Sequence, residues 1–297
     1  MKILLLGCGG QVGWELQRSL APLGEVVACD FDTALKADFA QPESLAALCA
    51  QVQPDVIVNA AAHTAVDKAE SEPGFARALN ATAPGVLARE AAARGALLVH
   101  YSTDYVFDGS GDQARDEHAP TSPLSVYGRT KLEGEQLIAT SGCTHLILRT
   151  SWVYAARGGN FAKTMLKLAA ERETLNVIDD QIGAPTGADL LADITAHAIP
   201  RLRASAALSG LYHCVAAGET SWHGYAQFVI DHARGAGASI KVARDAVQPI
   251  PTSAYPTPAQ RPLNSRLATN RLRAAFGLHL PPWQTGVRRM LVETLGR

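Results

Sequence analysis

Gly7, Gly10 and Gly13 stand in a G-x-x-G-x-x-G spacing directly after the apolar run Lys2 to Leu6 and directly before a helical pattern, and no other segment narrows the fold as much. Between a strand and a helix each glycine has its own task. One lets the chain turn tightly, one lets a pyrophosphate approach the backbone, and one lets the helix pack closely on the strand. The pyrophosphate then meets the free N–H groups and positive end of the helix, where Gln11 and Val12 form the opening turn. The weight lies in this context, since glycine triplets alone are common.

The rest of the first half repeats the same alternation. Apolar runs at Lys2 to Leu6, Glu25 to Cys29, Asp55 to Asn59, Ala96 to Ser102 and His145 to Thr150 predict strands, and helices are expected near 12–20, 44–50, 72–94 and 126–140. The strand segments are continuously apolar, as required when helices cover both faces of a parallel sheet. The expected fold is therefore α/β, a Rossmann-type doubly wound parallel sheet over residues 1–150. Residues 151–297 form a smaller, mainly substrate-binding part whose segments are free to interleave with the first. Helical patterns near 160–171 and 188–203 belong to that part. Five prolines between Gln248 and Pro262 cannot donate backbone hydrogen bonds and predict an extended surface loop, a candidate lid or cleft wall.

Composition excludes several classes. A net charge of -1, 19% charged and 47% hydrophobic residues describe a soluble globular chain with no electrostatic footprint for nucleic acid. Its apolar runs are far short of the roughly 20 residues that span a bilayer, and the start does not read as a signal peptide, so no membrane association and a cytoplasmic location are expected. The five cysteines are scattered without a C-x-x-C pair, which fits small buried residues better than disulfides or zinc ligands.

Asp30 follows Gly10 by 20 residues at the end of the second strand, where a carboxylate accepts hydrogen bonds from an adenosine ribose. It would repel a 2'-phosphate, and no arginine lies between Phe31 and Ala37, so NADH is favoured and NADPH tolerated. Asp38 and Phe39, after the next short strand, would lie near the adenine. Ala60 to Thr64 would run beneath the pyrophosphate, where small side chains permit close approach, with Ala62, His63 and Thr64 as cofactor-binding candidates; a run of alanines reads equally as plain packing.

Tyr127 and Lys131 lie four residues apart at the start of a predicted helix and so share one face. A cation beside a tyrosine favours phenolate, and a downward shift of about three units corresponds to roughly 4 kcal/mol. Such a tyrosine can protonate a carbonyl oxygen as hydride reaches the carbon, and the lysine can also hold the nicotinamide ribose. Many exposed helices carry Y-x-x-x-K by chance. Here the fourth strand ends in Tyr101-Ser102-Thr103-Asp104-Tyr105 at the carboxyl edge of the sheet, where open α/β folds bind ligands, and Thr103 can hold the substrate oxygen.

With these residues assembled, the chain resembles the extended short-chain dehydrogenase/reductase superfamily. Within it, Gly10 to Leu16, Asn59 to Asp67, Ser102 to Phe107, Arg149 to Tyr154, Asp180 to Thr186 and Arg261 to Ser265 are similar to the dTDP-4-dehydrorhamnose reductase family along the whole chain. The resemblance implies reduction of the 4-keto group of dTDP-4-dehydro-L-rhamnose, the last step in making dTDP-L-rhamnose for bacterial surface polysaccharide. It makes Tyr127 the proton donor, Lys131 its partner and ribose ligand, Thr103 the carbonyl orienter, and Asp104 and Trp152 contacts of the sugar nucleotide. Some members dimerise through carboxylate-bound magnesium, and the matching positions are Glu15, Asp189 and Glu293. Asp189 is shorter than the usual glutamate, and all three read equally as solvated helix-face charges. Two rivals share parts of the pattern. A dehydratase of the superfamily would carry a Thr-Asp-Glu run where this chain has Thr103-Asp104-Tyr105. A regulatory subunit of methionine adenosyltransferase resembles the family yet serves as a binding protein.

Overall fold

The computed structural model describes residues 1–296. Its centre is a six-stranded, all-parallel sheet built on β1 (Lys2–Leu6), β2 (Glu25–Cys29), β3 (Val56–Asn59), β4 (Leu97–Thr103) and β5 (His145–Thr150). A sixth strand, Gly210–His213, joins beyond β5, giving the spatial order sixth, β5, β4, β3, β1, β2.

Successive side chains of a strand point to opposite faces. In β1, Ile3 and Leu5 enter one apolar cluster while Leu4 and Leu6 enter another, and all four are fully buried. The first cluster is closed by the helices Gln11–Leu20 and Ala188–Ala204, through Leu16, Leu20, Leu191 and Ile194. Leu45, Val86, Leu87 and Ile138 of three other helices close the second. Each fully buried aliphatic side chain contributes about 1.5–3 kcal/mol, which explains the unbroken apolar runs. One helix and one strand of the sheet thus come from beyond residue 150, so a cut there does not separate two self-sufficient cores.

Three differences from the sequence expectation have local causes. The strand expected after Asp30 is a single bridge between Asp30 and Lys36, because the Thr33 hydroxyl takes the Asp30 N–H at 2.8 Å and reaches the Leu35 carbonyl at 2.7 Å, curling the segment into a turn. The helix expected over 72–94 is three pieces, Pro73–Arg77, a π turn at Ala78–Thr82 and Ala83–Arg94, and a separate short helix, Val66–Ser71, precedes them. Pro84 lacks the N–H that would bond the Asn80 carbonyl, and that carbonyl packs against the helix Val126–Ala139 so closely that a Cβ on Gly134 would lie 2.2 Å away. The proline-rich stretch is only partly loop. Val247–Ile250 pairs in parallel with Leu175–Ile178, and Pro249 is accommodated because this ribbon has just two strands.

The C-terminal half adds the helices Phe161–Glu171, Trp222–Gly235 and Trp283–Leu295 around two further apolar clusters. Among the described residues no helix is long and apolar enough to cross a membrane.

Candidate active site

The strand order reverses between β1 and β3, and the crevice at that switch point is where open α/β sheets take their ligands. The glycine loop fills one side of it. Gly7 has φ +78°, and a Cβ there would come within 2.6 Å of the Ala61 nitrogen, so it supplies the turn and the close approach of the two strands. A Cβ on Gly13 would sit 1.9 Å from the Gly7 carbonyl oxygen, so Gly13 seats the helix and lies behind the crevice. Gly10 meets nothing closer than 3.4 Å and lines the open side, leaving its face free for a pyrophosphate.

From this loop a cleft of about 710 Å³ runs to the ends of β4 and β5, a size suited to a dinucleotide and its substrate. Gly7, Gly10, Gln11, Val12, Asp30, Asp38, Phe39, Ala62 and Thr64 line it, as do Tyr101, Thr103, Asp104, Tyr127, Lys131 and Trp152. His63 does not. Its ring packs edge-on to Phe75, and its backbone is held on both sides by the Asn80 amide, which accepts from His63 N at 2.9 Å and donates to His63 O at 3.1 Å. Asp30 lies at the mouth, its carboxylate accepting from Gly9 N at 3.0 Å and Phe31 N at 2.9 Å. Tyr101 turns its hydroxyl away to Thr195 at 2.6 Å, so only its backbone serves the cleft.

The catalytic helix begins at Val126 because the Ser125 hydroxyl caps Gly128 N at 3.1 Å. Gly128 then presses on the turn after β4, where a Cβ would come within 2.2 Å of the Tyr105 carbonyl oxygen. This contact brings Tyr127 beside Thr103, whose hydroxyl donates to Asp104 at 3.0 Å. Burial pushes the Tyr127 phenol up to about 12, with the Thr103 hydroxyl resisting and the Asp104 charge assisting. Burial sets this upward direction, and Lys131 is not among the groups that act most strongly on the phenol. Lys131 explains why: its Nζ is turned away, donating to the Tyr101 carbonyl at 2.5 Å and lying 3.2 Å from His100 Nε2. Burial brings Lys131 down to about 8, against the pull of Glu135. Asp104 is pushed up to about 6 by burial, against hydrogen bonds from Ser265 and Thr103.

Opposite Tyr127, Trp152 adopts φ +49°, rare for a bulky residue, and stacks on Trp222 with ring centroids 3.6 Å apart. Gly183 makes room for it, since a Cβ there would lie 2.9 Å from the indole. Tyr105, where a dehydratase would carry a second acid, packs edge-on to the Tyr127 ring at 5.5 Å. The buried hydroxyls of Ser102 and Thr150 have no hydrogen-bond partner among the described protein groups, and both residues border the cleft.

Glu15, Asp189 and Glu293 do meet, but in a separate groove of about 360 Å³ shared with Arg18 and Arg289. Arg289 lies 3.6 Å from Asp189 and 3.2 Å from Glu293, and Arg18 lies 3.5 Å from Glu15. Guanidinium groups thus neutralise the carboxylates, and among the described residues no three His, Cys, Asp or Glu side chains are placed to hold a metal. The magnesium expected from the resemblance does not fit this groove.

The sequence family described as the RmlD substrate binding domain matches residues 1–295. A dTDP-4-dehydrorhamnose reductase of Shigella flexneri is 58% identical over 294 residues, covering 99% of this chain and 98% of its own. The chain belongs to the dTDP-4-dehydrorhamnose reductase family. Crystal structures agree with this membership. The reductase of Clostridium acetobutylicum superposes with a TM-score of 0.87 at 34% identity, with both chains covered completely. That of Bacillus anthracis, in complex with NADP, superposes with a TM-score of 0.87 at 33% identity over 99% of each chain. The chain is accordingly an oxidoreductase that works with a nicotinamide dinucleotide.

Several site residues of this family member escaped the sequence reading. Asn80 sits in an ordinary-looking helix, and only its lodging in a π turn, bonded to His63 and at 3.2 Å to Thr130 of the catalytic helix, shows its placing role. Trp222 lies 70 positions beyond Trp152 and meets it only through the fold. Asn59 and His100 read as strand residues with no signal of their own.

Proposed function

We propose that the chain reduces the 4-keto group of dTDP-4-dehydro-L-rhamnose to give dTDP-L-rhamnose, closing the synthesis of a sugar donor for surface polysaccharide such as lipopolysaccharide. The observation that carries this reading is the Tyr127 phenol beside the Thr103 hydroxyl, in a cleft whose other end is a glycine cradle. Bound there, the dinucleotide supplies hydride to the carbonyl carbon. Gly7, Gly10 and the N–H groups of Gln11 and Val12 would hold its pyrophosphate, and Asp30 its adenosine ribose. Thr103 orients the carbonyl oxygen, and the Tyr127 O–H delivers its proton to that oxygen as negative charge develops. Asp104 accepts from a sugar hydroxyl, and the Trp152 ring gives the sugar nucleotide an apolar wall. Tyr105, in place of an acid, leaves the site without the second proton-transfer group that elimination of water requires.

Asp30 puts a carboxylate where a 2'-phosphate would lie, so NADH is preferred and NADPH accepted. Trp14, 46% exposed, lines the arginine-carboxylate groove, which supports a homodimer meeting there without metal.

The test is consumption of NADH or NADPH with dTDP-4-dehydro-L-rhamnose generated in situ, against other keto sugars. Net oxidation of one equivalent per sugar is expected. Turnover of the sugar with no net NADH loss would replace this reading by the dehydratase. No turnover of any nucleotide sugar, together with capture of a methionine adenosyltransferase, would replace it by the binding protein.

A further inference from the structure

Trp152 and Trp222 are both half-buried, line the cleft and stack on one another, so one face of the substrate wall depends on two indoles from distant parts of the chain. The segment Asp179-Asp180-Gln181 holds the second of them. Asp179 accepts from the Ser221 hydroxyl, the cap of the helix that Trp222 opens, and Gln181 Oε1 accepts from Trp222 Nε1 at 3.0 Å. On its other side Gln181 Nε2 donates to the Thr252 hydroxyl at 3.0 Å, and that hydroxyl donates to Asp180 at 2.6 Å. The directions are forced at both ends, because an indole N–H only donates and a carboxylate only accepts. Thr252 is itself fixed: its N–H meets both Asp180 oxygens at 2.9 Å, and Pro249 and Pro251 stiffen the chain that delivers it. Gln181 is 3% exposed, so a bond lost there leaves a buried donor or acceptor unpaired rather than hydrated.

We infer that Gln181, anchored by Thr252 of the proline-rich stretch, is a positioning residue for sugar-nucleotide binding: it pins the Trp222 ring, and Trp222 in turn keeps Trp152 in its stacked setting. Trp152 needs such a hold, since its φ of +49° is a conformation that a bulky residue keeps only when its surroundings fix it. Phe161 backs Trp222 with ring centroids 4.5 Å apart, and Gly183 leaves room beside Trp152. Apolar packing of this kind is non-directional, so it confines the rings while the hydrogen bond from Trp222 sets their rotation. Part of the proline-rich stretch thus serves the wall as a rigid anchor. Thr103 and Tyr127 take no part in this chain of bonds, so its effect falls on binding that the ground state and the transition state share.

The inference rests on the reading of Trp152 as a wall of the sugar-nucleotide site, but one of its readouts needs no substrate. Gln181→Met keeps the length of the side chain and removes both hydrogen bonds. In indole N–H NMR of the whole protein, the Trp222 signal should then lose about tenfold in protection from exchange, and the ring-current displacement of the Trp152 signal should shrink by about half. KM for dTDP-4-dehydro-L-rhamnose should rise about tenfold, the scale of one hydrogen bond, with kcat and NADH affinity within about twofold. Thr252→Val should move both readouts the same way by less, and Thr252→Ser should restore them. An unmoved Trp152 signal in Gln181→Met would overturn the inference. If that variant does not fold, equal Trp152 signals in Thr252→Val and Thr252→Ser would do so instead. A moved signal with KM unchanged would also overturn it. Absence of keto-sugar turnover in the unaltered protein would refute the reductase reading alone, and the NMR result would still judge the hold of Gln181 on the two rings.

Discussion

Two places in this molecule gather ionisable side chains, and they behave differently. In the cleft, Asp104 and Lys131 are almost wholly buried and are displaced from their ordinary ranges in the directions that burial dictates, as is Tyr127. In the groove, Glu15, Asp189 and Glu293 sit beside Arg18 and Arg289, and side-chain exposures run from 21% for Glu15 to 61% for Arg289. Both sites were picked out by the family pattern. Only the first is dehydrated, and dehydration separates a group that can do chemistry from one that merely carries charge.

The sharpest way to break this contrast is Tyr127→Phe, which deletes one hydroxyl in the cleft. Turnover should fall by roughly 10³-fold, as general acids contribute about 10²–10⁴, while NADH affinity measured by fluorescence titration stays the same. Retained activity would remove Tyr127 from the mechanism.

Next come the two kinds of ion pair. Glu135 and Arg149 are 5% and 4% exposed, and Glu135→Gln leaves a buried guanidinium uncompensated, costing about 3–5 kcal/mol in denaturant unfolding. A cost below about 1 kcal/mol would show that burial does not distinguish this pair from those of the groove.

Asp104 gives the third test through pH. Its folded value of about 6 lies above the ordinary 3.8, so its stabilising effect is complete below about pH 4 and is lost as pH rises through 6. At pH 7.5 Asp104→Asn should therefore stabilise the protein by about 2–3 kcal/mol, the gain appearing between pH 4 and 7. Substrate binding should weaken at the same time, and equal Tm shifts at pH 4 and pH 7.5 would contradict the assignment.

The smallest effect belongs to the groove. Asp189→Ala should change stability by no more than about 0.5 kcal/mol, and chelation of divalent ions should leave the reduction rate within twofold. A metal-dependent rate would restore the carboxylates to a ligand role.

The glycine loop, the five leading strands and the Thr103, Tyr127 and Lys131 group were legible because each rests on short-range patterns. The spacing of Gly7, Gly10 and Gly13 follows from one turn, and Tyr127 and Lys131 share a face through helix periodicity. The upward shift of Tyr127 was not legible, because it depends on burial and on where Lys131 Nζ points, and the latter is decided by His100 and Tyr101 on a strand about 30 positions earlier. The pairing of Asp189 with Arg289 was equally invisible, since the two lie 100 positions apart. The π turn at Asn80 was hinted at by Pro84 alone.

The sheet's dependence on late segments also sets a clock. Leu16 waits for Leu191, made 175 positions later, and β5 waits for the strand Gly210–His213. At a synthesis rate of about 5–20 residues per second, that is roughly 9–35 seconds during which a nascent chain carries an uncovered apolar face on β1, β3 and β4. The completed enzyme shows no trace of this interval, yet a ribosome-bound chain would spend it as a natural client for chaperones.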